Sequence, residues 1–250
     1  MINFFRKTRK KLANENKFVK YSRYAIGEIV LVVIGILIAL QINQNANYNK
    51  ERKTELTILN EIRTNLNSDL REINEDITYM DSVNFACDFV THHLKIFDKP
   101  NSDFGINALI LITTPHFNPN TSGYDLLVSK GVEIIQNDEL RKAISDHFVS
   151  LYSYYNRYER ERIDFRIHFM EPSMTKHFYW VPNPESDFLG EYQITQEEYN
   201  LLKSENSFIK LVSAINRTNT VVQNRAYRVE QKIIELSSLI DKELNTKEND

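Results

Sequence analysis

The sequence predicts an all-α protein: one N-terminal transmembrane helix followed by an exported bundle of three long helices plus short helices. Three observations carry that expectation. Residues Tyr24 to Ile42 read YAIGEIVLVVIGILIALQI, an apolar run broken by one charge, Glu28. The 250 residues hold only six glycines and six prolines, and none of either falls between Asn47 and Phe97. Apolar side chains recur through the long stretches at helical spacing.

At about 1.5 Å per residue, the apolar run spans roughly 28 Å, close to the hydrocarbon thickness of a bilayer. Before it stand Arg6, Lys7, Arg9, Lys10, Lys11, Lys17, Lys20 and Arg23 against the single acid Glu15. Just after it, Lys50, Arg52 and Lys53 are matched by Glu51, Glu55 and Glu61. Lysine and arginine near the span ends set orientation, so the N-terminus is expected in the cytoplasm and the rest exported. The run is longer than a usual signal-peptide core and no small-x-small cleavage site follows it, which indicates an uncleaved anchor. The domains are therefore a basic cytoplasmic arm at 1–23, a transmembrane helix at 24–42 and an exported α-helical domain at 43–250.

The formal net charge of −3 hides an asymmetry, because residues 1–24 carry +7 and leave −10 for the remainder. Nucleic-acid binding is not expected from an acidic exported part. The basic arm, with Phe4, Phe5, Leu12 and Phe18 among its charges, suits an anionic leaflet or serves only as a topogenic signal. Cys87, the one cysteine, excludes an intrachain disulfide; between Phe85 and Phe89 it reads as a small buried apolar residue.

The first long helix places Leu56, Arg63, Leu70 and Ile77 at a, and Leu59, Leu66, Ile73 and Met80 at d, of a heptad. An intrachain bundle and a parallel coiled-coil stalk both fit; matching stripes elsewhere in the chain favour the bundle. Phe104 to Ile112 is a short buried helix or strand. Ser122 and Asp125 have capping-box spacing for a helix through Ser129, ended by Gly131. Asn137, with Asp138 and Glu139 behind it, caps a helix reaching about Phe169, with a stripe of Leu140, Ile144, Phe148, Leu151, Tyr155, Tyr158 and Phe165. Pro172, Pro182 and Pro184 mark an irregular connection containing Phe178, Tyr179 and Trp180. Thr195 to Glu198 forms a capping box for a short helix. Phe208 to Ile240 mark a C-terminal helix of nearly forty residues, with a frayed tail from Lys247.

The opening FFRK, the block KYSRYAIGEIVLVVIGILIALQIN, and the later PNTSGYDLL and NDELR resemble a large uncharacterised family of single-pass membrane proteins typical of flavobacteria and their relatives, classed as a domain of unknown function. The resemblance covers roughly residues 1–170. It departs after the span, where that family often has tryptophan and this chain has Gln44. It implies a membrane-anchored helical protein, with no activity or catalytic residues to carry over; with the orientation above, the expected location is the bacterial inner membrane, with the helical domain periplasmic.

Within the span, Glu28, Gly35 and Ala39 share a face at 100° per residue. A carboxylate there is costly, so either it meets a partner helix or it snorkels toward Arg23 or Lys20. The tyrosines and arginines from Tyr152 to Arg166 include Tyr154, Arg157 and Tyr158, candidates for a partner surface. The plainer account is a core stripe with snorkelling arginines. Trp180 is expected to plug a bundle end. The six histidines lack metal-ligand spacing, though His168 and His177 could approach Glu171. No phosphate loop, nucleophile elbow or HExxH motif is present. No catalytic residue, metal or cofactor is assigned. The expected role is a binding or scaffolding module touching the lipid bilayer, acting as a homo-oligomer or with another envelope membrane protein. A ligand-sensing or ion-coupled transport accessory is the alternative.

Overall fold

The computed structural model describes residues 18–184 and 190–247. Residues 1–17 of the expected basic arm and 248–250 of the tail lie outside the described residues. The chain divides into two compact units, Met1–Glu55 and Leu56–Asp250. Helix α1, Phe18–Ile96, contributes to both. In the first unit, the side chains from Ile26 through Ile42 are exposed apart from that of Glu28, which is half-buried.

The second unit is all-α, as the sequence predicts, with one small ribbon. After α1 come α2 (Ser102–Ile110), α3 (Ser122–Lys130) and a single 3₁₀ turn at Val132–Ile134. A long interrupted helix follows: α4 (Asp138–Ser145), a π-helical segment (Asp146–Leu151), α5 (Tyr152–Phe165), a second π segment (Arg166–Met170) and α6 (Glu171–His177). Strands β1 (Tyr179–Pro182) and β2 (Gly190–Gln193) pair antiparallel, with Tyr179 opposite Gln193. Helices α7 (Gln196–Ser204) and α8 (Asn206–Lys247) complete the chain.

Side-chain bonds fix the helix directions. Asn137 meets Glu243 and Arg162 meets Asn219, while Arg63 meets Asp241 and Asn84 meets Gln223, so α8 runs antiparallel to both other long helices. Tyr152 donates its hydroxyl proton to Asp69 Oδ2 at 2.6 Å. The first and second long helices are accordingly parallel, and the chain between Ile96 and Asp138 must return along the bundle. The apolar stripes pair within the chain in two cores. One joins Ile58 to Met80 with Leu140 to Tyr155 and Val222 to Leu244. The other joins Val83 to Leu94 with Phe104, Met174, Tyr199 and Phe208.

Several local expectations need correction. The four d residues are fully buried, but Leu56 and Leu70 at a are only half-buried and Arg63 pairs with Asp241 at 2.9 Å. The seam is shifted instead toward Ile62, Asn65, Asp69 and Asp76, because the strap leading into α3 needs polar partners from α1. The second long helix does not stop near Phe169. Its wider π turn, where the Glu171 N–H reaches Arg166 O, carries the chain past Pro172, which has no N–H to donate. The segment after it is not irregular, since Tyr179 to Pro182 find strand partners. Trp180 plugs nothing: it is 54% exposed, with its ring laid across Gly190.

The start of α3 also differs. Thr121 is the N-cap and its side chain bonds Asp125 Oδ2 at 2.8 Å rather than a backbone N–H. The Ser122 N–H goes to Asn120 Oδ1 and the Gly123 N–H goes to Asn65 Oδ1 on α1 at 2.8 Å. A Cβ on Gly123 would lie 2.7 Å from the Ile62 backbone nitrogen. Gly131 closes α3 at φ 97°, as expected of that glycine. Asn137 and Thr195 cap their helices through the Leu140 and Glu198 N–H groups.

Gly123→Ala forces a methyl against α1 backbone, which cannot yield as a flexible side chain would. Overpacking of this kind costs about 1–3 kcal/mol. Denaturant unfolding of the purified chain should show that loss, whereas an unchanged midpoint would mean that α3 does not press on α1 this closely.

Candidate functional site

The sequence-predicted residues fall into two places. Glu28, Gly35 and Ala39 lie on the apolar part of α1 in the first unit. A Cβ on Gly35 or Gly27 would meet nothing within 4 Å. Gly105, Gly123 and Gly190, by contrast, are each required by a close approach of backbone or ring, and Gly131 by its positive φ. Nothing among the described residues accounts for glycine at 27 or 35.

Tyr154, Arg157 and Tyr158 stand together on α5, one turn apart on its outer face. The tyrosine hydroxyls are 3.3 Å apart and the rings 5.0 Å between centroids. The Arg157 guanidinium sits 5.3 Å and 5.1 Å from the two ring centres and donates to the Tyr158 hydroxyl at 3.3 Å. From α8, Arg225 stacks on the Tyr158 ring at 3.7 Å, a contact that no local spacing in α5 could announce. The Tyr154 hydroxyl, Arg225 and Arg157 together pull the Tyr158 phenol down to about 8. Tyr152 and Tyr155, in contrast, face the core. The cluster thus divides into core and surface by helical position.

A buried polar layer between the two apolar cores was not expected from the sequence. Glu159 is 0% exposed, Arg162 3% and Asp76 7%. Arg162 does not snorkel. It donates to the Pro115 carbonyl, and its other guanidinium nitrogen lies 3.5 Å from Asn219 Oδ1. Asn219 in turn donates to Met80 O at 2.7 Å and Asn84 Oδ1 at 2.8 Å. Glu159 Oε1 accepts the Phe117 N–H at 3.0 Å, and its Oε2 faces His116 Nδ1 at 3.6 Å. Burial, against the attraction of Arg162, raises the Asp76 carboxyl to about 6. Burial, opposed by the Phe117 N–H and Arg162, raises that of Glu159 to about 7. Two carboxyls here exchange protons near neutrality, and they do so against a fixed guanidinium. The signal was present in the helical period: continuing Leu140, Ile144, Phe148, Tyr152 and Tyr155 by four and then three residues lands on Glu159 and Arg162.

The histidines do not converge. His93 is buried with Nδ1 2.9 Å from the Tyr199 hydroxyl, and His168 bonds the Asp164 carbonyl of its own helix. His177 does not approach Glu171; it pairs at 2.6 Å with Glu198 of α7, while Glu171 meets Arg166. Among the described residues, no group of three or more His, Cys, Asp or Glu side chains could hold a metal ion. Cys87 is buried, and burial pushes its thiol up to about 12.

A family model described as "Family of unknown function (DUF6090)" matches residues 28–182. No curated protein and no solved structure matches the chain. The matched region runs from the apolar part of α1 to the end of β1, and so takes in the polar layer and the Tyr154 patch.

The raised Glu159 carboxyl has a definite sign in stability. The folded chain holds this proton more tightly than the unfolded chain, where it titrates near 4.5. The contribution is full below that value and is lost as pH rises through about 7. Glu159→Gln keeps an acceptor for Phe117 but removes the titration. Its stability relative to wild type should therefore climb by on the order of 1–3 kcal/mol between about pH 5 and pH 8. A difference that stays flat with pH would contradict the buried carboxyl. At the surface, Arg225→Gln should return the Tyr158 absorbance titration toward the ordinary phenol value near 10, with Tyr158→Phe identifying the signal.

Proposed function

We propose that this chain, which belongs to the family of unknown function DUF6090, is a single-pass, membrane-anchored helical binding or scaffolding module of the cell envelope. The reading places residues 24–42 across the bacterial inner membrane, the N-terminus in the cytoplasm and the helical domain in the periplasm. One observation carries it. Twelve large aliphatic side chains, from Ile26 to Ile42, stand exposed on α1. Leaving them in water costs on the order of 20 kcal/mol or more relative to burial, more than a domain's whole stability. A hydrocarbon environment removes that cost, and the helix satisfies its own backbone there.

Gly35 and Ala39 then serve to let a second helix approach, with Glu28 on the same side. The second helix belongs to another copy of the chain or to another envelope membrane protein. Outside the bilayer, Tyr154, Arg157 and Tyr158 supply a rigid aromatic and guanidinium surface of the sort that anchors protein contacts. No catalytic role is assigned to the chain. A ligand-sensing or ion-coupled accessory is the second reading, favoured by the carboxyls of Asp76 and Glu159 that titrate near neutrality.

An alkaline-phosphatase fusion at the C-terminus should be active in cells and a cytoplasmic reporter there silent; the opposite pair of results overturns the orientation. Gly35→Leu should weaken crosslinking of the full-length protein more than Leu37→Ala does. The effect is graded, since interhelical pairs in membranes average only about 0.6 kcal/mol. If Gly35→Leu and Glu28→Leu both leave association intact, the helix is an anchor and nothing more.

A further inference from the structure

Beside the Tyr154 patch, a groove of about 600 Å³ runs between α8 on one side and α4, the first π segment and the start of α5 on the other. That volume lies within the usual range for small-molecule sites, roughly 300–1,000 Å³. The antiparallel register set by Asn137 with Glu243 and Arg162 with Asn219 gives the groove a polarity. One end is aliphatic, with Ala143, Leu236 and Leu239. The other brings Tyr154 beside Arg228, and α8 continues from there to Arg225 and the Tyr158 ring.

We propose that this groove binds a single-tailed anionic amphiphile, a medium-chain carboxylate, with its head at Arg228 and Tyr154 and its tail along Leu236 and Leu239. The inference rests on the domain being a binding module tied to a membrane, where such molecules partition. Charge selects the head. Arg228 is exposed and makes no hydrogen bond or ion pair among the described residues, whereas Lys232 is already matched by Glu235 at 2.5 Å. Asp146 lines the same groove and is exposed. The aliphatic end selects the tail, since Leu239 is 47% exposed beside Leu236 and Ala143.

His147 also lines the groove from the π segment and is 5% exposed. Its Nε2 is closed off from water and meets no hydrogen-bond partner. Burial alone lowers its imidazole to about 4, so the ring is neutral and its polar edge is left without a partner. The π turn that places it there sits in a type of segment that concentrates at functional sites.

The test uses the full-length chain in zwitterionic phosphatidylcholine nanodiscs and a dodecanoate carrying a terminal diazirine. After irradiation, mass spectrometry should find adducts within 138–151 or 229–247 as well as within 24–42. Excess dodecanoate should suppress the groove adducts and excess dodecanol should not. Arg228→Gln should cut them by about tenfold, the worth of one charged hydrogen bond, without touching those in 24–42. Adducts confined to 24–42 would overturn the groove while leaving the anchor in place. Adducts in the groove but none in 24–42 would keep the groove and remove the anchor. Groove labelling that survives Arg228→Gln, or that dodecanol displaces equally well, would overturn the carboxylate head.

Discussion

The second unit depends on how the irregular segment leading into α3 is satisfied in hydrogen bonds. Residues 113–121 run along α1 and α5 without a ladder to bond, with Phe117 alone among them buried. Side chains of the two helices do the work instead. Glu72 accepts the Asn118 N–H, Asp69 the Asn120 N–H and Asn65 the Gly123 N–H, all from one face of α1. From α5 and the second π segment, Glu159 accepts the Phe117 N–H, Arg162 donates to the Pro115 carbonyl and Arg166 to the Thr114 hydroxyl. These bonds hold the return strap that two parallel helices require.

That requirement explains the polar layer and its cost. Burying Asp76, Glu159 and Arg162 incurs desolvation of several kcal/mol per ion, which mutual attraction and the strap's hydrogen bonds offset. Removing one member would strand the others, whereas an all-apolar replacement would leave the Phe117 N–H without its acceptor and the Pro115 carbonyl without its donor. The layer therefore separates two apolar cores instead of being absorbed into one. Asn84, Asn219 and Gln223 extend it to α8 and fix the register of that helix against α1. The same register gives the groove along α8 one aliphatic and one cationic end.

The two π segments serve the same architecture. One carries the helix past Pro172 and lets α6 deliver Met174 and His177 to the upper core and to Glu198. The other turns His147 toward the groove while Tyr152 remains on the strap side, bonded to Asp69. An unbroken α-helix would hold a single stripe in step along its whole length; each wide turn resets the phase.

Length, hydrophobic period and capping chemistry were legible in the sequence because they are local. The scarcity of glycine and proline, the stripes, and the Asn137 and Thr195 caps determined an all-α chain with three long helices, and the apolar run determined an exposed helix from Ile26 to Ile42. Tertiary structure decided the rest. Asp76, Glu159 and Arg162 read as solvated charges until the fold buried them, the last two against a strap 42 and 47 residues away in the chain, and Arg225 met Tyr158 only because α8 folds back antiparallel. Pro172 read as a stop because a local rule cannot foresee a π turn, and Tyr179 to Pro182 read as loop because a strand is defined by its partner. Each of these depends on a contact between distant residues, and one sequence records the residues without recording which of them meet.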